Sequence, residues 1–111
     1  KVVINGCYGV FGLSQLALSV LYKNYPDMVE VHKDYRGEYV MYLSDEVERH
    51  DKRLIEVVEN LGSELASVYY ANLVIETIYT PVYRVSEYDG YESIHTQDMD
   101  DGWIIINEDN L

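Results

Sequence analysis

Cys7 stands in the run Asn5-Gly6-Cys7-Tyr8-Gly9-Val10-Phe11-Gly12, which is followed at once by Leu13 and Ser14. A thiol at the junction of a strand and a helix can serve as a nucleophile, because a helix N-terminus favours the thiolate. His32, His50 and His95 are the bases that could pair with it. The phosphatase spacing C-x5-R needs arginine at position 13, where this chain has Leu13. The same loop offers a second chemistry: backbone N–H groups across Asn5, Gly6, Cys7, Gly9, Gly12 and Ser14 could cradle a phosphate or carboxylate. Glycines at 6, 9 and 12 match neither the dinucleotide fingerprint nor the P-loop. No Lys or Arg lies between residues 2 and 22 to complement an anion. Tight turning and close packing therefore explain these glycines better than ligand binding does, and a packed thiol explains Cys7 better than catalysis.

His50-Asp51 and His95 are the remaining candidates for acid–base or metal chemistry. A zinc site would need them to converge with a third ligand, whereas an Asp at a helix start is ordinarily a cap. Asp98-Met99-Asp100-Asp101-Gly102 superficially resembles a calcium loop, but its glycine comes too early and the bidentate Glu is missing. It reads as a solvated turn, and no cofactor or metal is expected.

A different constellation surrounds Asp89-Gly90. Tyr83, Glu87, Tyr88, Asp89, Tyr91 and Glu92 place three acids and three tyrosines on one stretch. Tyrosine gives large contact area at low entropic cost, and acids at the rim steer a basic partner. The chain holds twelve Tyr against one Phe and one Trp, so its aromatic content is almost wholly polar-tipped. The competing account is that these rings fill and edge a small core.

The elements that must position these groups follow from periodicity. Val2-Val3-Ile4 reads as a short buried strand. Ser14 can cap a helix whose apolar positions are Leu13, Leu16, Ala17, Val20 and Leu21, and Pro26 stops it. Val29 and Val31, then Tyr39, Met41 and Leu43, alternate as a hairpin around Lys33–Gly37. Asp51 can cap a second helix with an apolar face of Leu54, Ile55, Val57, Val58 and Leu61, ended by Gly62. Leu73 to Tyr79 reads as a strand, and Val82 to Tyr88 resumes after Pro81. Asp-Gly between Tyr88 and Tyr91 is the strongest two-residue hairpin signal in the chain. Trp103-Ile104-Ile105-Ile106 looks like a last short strand. The expected fold is α+β, one domain over residues 1–111, with a small mixed or mainly antiparallel sheet and two helices on one face.

Charge narrows the partners. The chain has 111 residues, 20 acids against 8 bases, and a formal charge of −12. This excludes sequence-independent nucleic-acid binding and disfavours anionic membrane surfaces. Residues 1 to 43 carry four bases and four acids, so residues 44 to 111 account for the whole excess. Eight acids and no base follow Arg84. A charge serving solubility alone could be spread anywhere; this one is segregated toward the hairpin. One cysteine cannot form an internal disulfide, and there is neither a membrane-length apolar run nor a signal-peptide pattern. The expectation is a soluble cytoplasmic protein.

Three blocks together carry a resemblance. Lys1-Val2-Val3-Ile4-Asn5 with Cys7-Tyr8-Gly9 and Phe11-Gly12-Leu13-Ser14 resembles the opening of a family of small uncharacterised proteins from bacteriophages, prophages and larger DNA viruses. Arg49-His50-Asp51 leading into Leu54 through Gly62 is similar to their second helix, and Glu87 through His95 to their C-terminal hairpin. The chain departs from the family at Val10, where a glycine is usual, and in its tail after Ile94-His95. The resemblance implies a viral genome and a fold, with no activity attached. The function expected is a virus-encoded, non-catalytic protein that engages a basic host or viral protein, such as a host-defence factor, through its acidic Tyr-rich half. The alternatives are a small-molecule or nucleotide-binding protein using residues 5–14, or a minor virion component.

Overall fold

A computed structural model describes residues 1–96 of the chain. In chain order these form β1 (Val2–Asn5), α1 (Gln15–Asn24), a 3-10 turn (Pro26–Met28), β2 (Val29–Lys33), β3 (Tyr39–Leu43), α2 (Lys52–Ala66), β4 (Leu73–Glu76), β5 (Tyr83–Tyr88) and β6 (Tyr91–Thr96). The fold is α+β. Its antiparallel pairing is divided among three two-stranded ladders, β1–β4, β2–β3 and β5–β6. The expected turn at Asp98–Gly102 and strand at Trp103–Ile106 lie outside the described residues.

β1 is the centre of the packing. All four of its residues are buried, and they alternate faces as strand residues must. Val3 belongs to a core with Leu13, Ala17, Leu18 and Leu21 of the first helical region, Leu54, Ile55, Val57 and Val58 of α2, and Leu73 of β4. Val2 and Ile4 point the other way, into a smaller cluster with Ile94, Val74, Ile78, Tyr83 and Val85. Both helices therefore lie on one face of the β1–β4 ladder, and the β5–β6 hairpin covers the other. Burial on both faces explains why β1 is a continuous apolar run instead of an alternating one.

The helix signals act where the sequence puts them. Ser14 Oγ accepts from Ala17 N–H at 3.1 Å, and Asp51 Oδ1 accepts from Arg53 N–H at 2.9 Å. Pro26 follows α1 after the Tyr25 cap. Two details differ from expectation. Leu16 faces outward and Leu18 takes its place in the core, because α1 packs through Ala17, Leu18 and Leu21 against α2 and the β2–β3 hairpin. Gly62 breaks α2 with φ 81° and ψ 161° but does not end it, since a further helical turn runs to Ala66. That turn is anchored by Ser14 N–H donating to the Ala66 carbonyl at 2.8 Å.

Candidate functional site

Asn5 closes β1 and organises everything that meets at its end. Its Nδ2 donates to the carbonyls of Cys7 at 2.9 Å and Gly90 at 2.8 Å, and its Oδ1 accepts from the Asn72 N–H at 2.8 Å. One fully buried carboxamide thus ties together the glycine loop, the segment between α2 and β4, and the tip of the β5–β6 hairpin. The tip itself is a tight turn with Asp89 and Gly90 both at positive φ, 50° and 84°, as the right-handed twist of a two-residue hairpin requires.

These three loops are stacked at backbone contact. A Cβ built on Gly90 would lie 1.2 Å from the Gly9 carbonyl oxygen, and one on Gly9 would lie 1.9 Å from that of Tyr70. Gly9 N–H donates to the Asp89 carbonyl at 3.0 Å, and Gly6 N–H to that of Asn72 at 2.8 Å. With the Ser14 N–H donating to Ala66 and the Asn5 N–H to Glu92, four of the six amides named for an anion cradle already serve the fold. The six residues named for that cradle are therefore brought together, but as a joint between loops. Cys7 Sγ is half-buried beside Asn5 Oδ1 at 3.5 Å and the Tyr70 carbonyl at 3.7 Å. His50 and His95 bond instead to Tyr83 and Ser93, and His32 lies 3.8 Å from the Glu30 carboxylate. Among the described residues no group of three His, Cys, Asp or Glu side chains could hold a metal.

The acidic hairpin is also rearranged by what the structure shows. Glu92, read from sequence as a surface acid, is 7% exposed. Its carboxylate accepts two bonds from Arg49, at 2.6 and 2.9 Å, and a third from the Asn5 N–H at 2.8 Å. Arg49 in turn lies over the Phe11 ring, 3.5 Å from its centroid. Glu92 holds the hairpin onto β1 and is not part of an outer surface. Glu87 is exposed, and its Oε2 accepts from Gly90 N–H at 2.6 Å, supporting the turn. Asp89, Tyr88 and Tyr91 are exposed. Tyr83 stands at the other end of β5, five residues or about 17 Å away. There its hydroxyl meets His50 Nδ1 at 2.5 Å, with the rings edge to face. Burial, and secondarily Glu48, raise the Tyr83 phenol above its ordinary range.

The tyrosines do not fill the core. Eleven of the twelve are exposed and Tyr83 is half-buried. Five gather on the end built by Asn5: Tyr8 packs against Tyr91 with centroids 5.3 Å apart, Tyr69 meets Tyr70 edge to face at 4.8 Å, and Tyr88 is opposite Tyr91 in the ladder. Sequence reading found Tyr88 and Tyr91 but not Tyr8, Tyr69 or Tyr70, whose only signal is that they flank the loops that converge. A groove of about 870 Å3 opens beside this end, walled by Tyr42, Tyr69 and Tyr70 and edged by Glu30 and Asp45. The one guanidinium lining it, that of Arg49, is neutralised by Glu92. No helix among the described residues is long and apolar enough to cross a membrane. No family model, curated protein or solved structure matches the chain.

Proposed function

We propose that this chain is a non-catalytic binding protein that engages a basic protein partner through its tyrosine-rich end. The observation that carries this reading is the exposure of eleven of twelve tyrosines, five of them on one end beside Glu87 and Asp89. Exposing rings of this size to water costs apolar surface that a core could have used, whereas Tyr anchors with few rotatable bonds suit a contact surface. Net negative charge supports a basic partner by complementarity and faster encounter. In the viral setting that the resemblance implies, such a surface suits occupying a host or viral protein whose own site is basic, including one that handles nucleic acid.

The test compares capture of partners from infected cells by the wild-type chain and by a Tyr8→Ser/Tyr88→Ser variant. Tyr79→Ser is the control, because Tyr79 is 95% exposed but follows β4 at the opposite end of the β1–β4 ladder. Loss of the same bands with the paired variant and retention with Tyr79→Ser is the expected result. Capture unchanged by the paired variant refutes the assignment of this end.

A further inference from the structure

The two outer edges of the β2–β3 hairpin are finished differently. Ser44 N–H donates to the Met28 carbonyl at 2.9 Å and Asp34 N–H to that of Glu38 at 2.8 Å, bracketing the ladder. Antiparallel bonding alternates, so pairs 30–42 and 32–40 carry the hydrogen bonds. Residues 29, 31, 33, 39, 41 and 43 then turn their N–H and C=O groups outward. On the β3 edge a side chain occupies this position. Gln15 Nε2 donates to the Met41 carbonyl at 3.0 Å, and Met41 N–H donates to Gln15 Oε1 at 3.3 Å. A carboxamide here does what a neighbouring strand would do. On the β2 edge, Val29 N–H bonds back to Pro26, but no described residue takes the N–H or C=O of Val31, whose side chain is 41% exposed. An edge with no proline, bulge or cover is a template for strand addition.

We infer that a second copy of this chain occupies that edge, β2 pairing with β2 antiparallel about a twofold axis at Val31. The strand Val29-Glu30-Val31-His32-Lys33 is complementary to its own reversal. Val31 opposes Val31, each Glu30 opposes a His32, and each Val29 opposes a Lys33. Val31 of the two copies exchange N–H···O=C bonds, and each Lys33 N–H reaches the free Val29 carbonyl of the other copy. The open Val31 side chains meet on the axis, and opposite polar partners face one another across the strands. The result is a four-stranded sheet from two ribbons that are each marginal alone. An interface of this kind is isologous, and every contact is made twice.

Charge segregation favours this face. Residues 1 to 43 hold four bases and four acids, so two copies meeting through β2 bring together neutral segments, while the whole −12 lies in the remainder of the chain. Residues 44 to 111 hold sixteen acids against four bases, so approach through that part of the chain works on balance against like charge.

Sedimentation equilibrium of the full chain tests this. The mass is expected to rise with concentration from 12.9 kDa toward twice that value. Val31→Pro removes an outward N–H and no bond of the hairpin itself, the position at which an edge strand tolerates proline; it is expected to leave a folded monomer. Glu30→Lys is expected to weaken association roughly tenfold or more because the change is made twice, and Glu30→Lys with His32→Glu to restore it. A wild-type chain that stays monomeric overturns the inference. So does a dimer indifferent to Val31→Pro, which would place the joint elsewhere. Should Val31→Pro fail to fold, the charge exchange decides alone, and no recovery in the double variant overturns the proposal.

Discussion

The Arg49 guanidinium and the Glu92 carboxylate form a two-bond fork across 43 residues of sequence, and the Asn5 N–H of β1 donates to the same Oε1. The carboxylate side is 9% exposed and the guanidinium 26%. Removing the carboxylate charge leaves the partly buried Arg49 guanidinium without its counter-charge, which costs more than the net worth of the pair. Glu92→Gln is expected to destabilise by about 2–3 kcal/mol, with the lower part of the range set by the partial exposure of Arg49. Urea unfolding of the variant measures it. A loss indistinguishable from an exposed substitution such as Glu64→Gln would mean the fork holds nothing.

Gly9 sits between the Gly90 and Tyr70 backbones, with no space for a methyl group. Gly9→Ala must push the glycine loop, and the hairpin tip bonded to it, away from the Tyr70 backbone, at about 1–3 kcal/mol for overpacking of this kind. Gly37→Ala is the useful comparison, since a Cβ there meets nothing within 4 Å and only the positive φ opposes it. The first variant should alter the amide chemical shifts of residues 70 and 89 together. The second should leave both in place.

Tyr83 gives stability an alkaline limb. Burial lifts its folded pKa above the ordinary 10.0, Glu48 adds to the lift and Arg49 opposes it. Between the unfolded and folded values the unfolded chain has lost this proton and the folded chain has kept it. Stability is therefore fully present below about pH 10 and falls as pH rises toward the folded value. Urea midpoints across this window should decline less steeply in Tyr83→Phe than in the wild type. Parallel slopes would remove Tyr83 from the account.

Asp51 supplies the opposite limb. Its hydrogen bond from the Arg53 side chain, together with backbone N–H donors at the α2 N-terminus, holds its folded pKa below the ordinary 3.8. A carboxyl of this sign contributes stability above the unfolded pKa and loses it as pH falls through the folded value. Asp51→Asn keeps a capping acceptor but cannot titrate. Its acid unfolding should start from a lower plateau and show a shallower slope, followed by the helical circular dichroism signal.

Local structure was legible in the residues, and the joints between elements were not. Ser14, Asp51 and Pro26 mark helix ends because capping and proline chemistry act within four residues. Asp89-Gly90 marks its hairpin because positive φ at both positions is a local demand. Glu92 carried a readable sign of burial, since it alternates in phase with Ile94 and Thr96, and all three are buried. What could not be read is the partner: Arg49 is brought to it by the seating of the hairpin on β1, a relationship that no periodicity encodes. The same holds for the glycine loop and the acidic tip. They read as two separate candidate sites and meet as one, because Asn5 bonds to both. The division of the strands into three ladders is likewise a matter of long-range pairing, to which a two-residue alternation is indifferent.

β1 is made well before the strands that complete it. Its register with β4 and its bond from Asn5 to Glu92 span up to 87 residues. At ribosomal speeds of about 5–20 residues per second, that interval is roughly 4–17 s. Through it a strand that opens on three apolar residues has emerged while the carboxylate that will accept its last amide is still unmade. α1 and α2 can form in that time, but they cover only one face of β1. The nascent chain therefore passes through a stage in which this strand is half-shielded, with Val2 and Ile4 uncovered until the β5–β6 hairpin arrives.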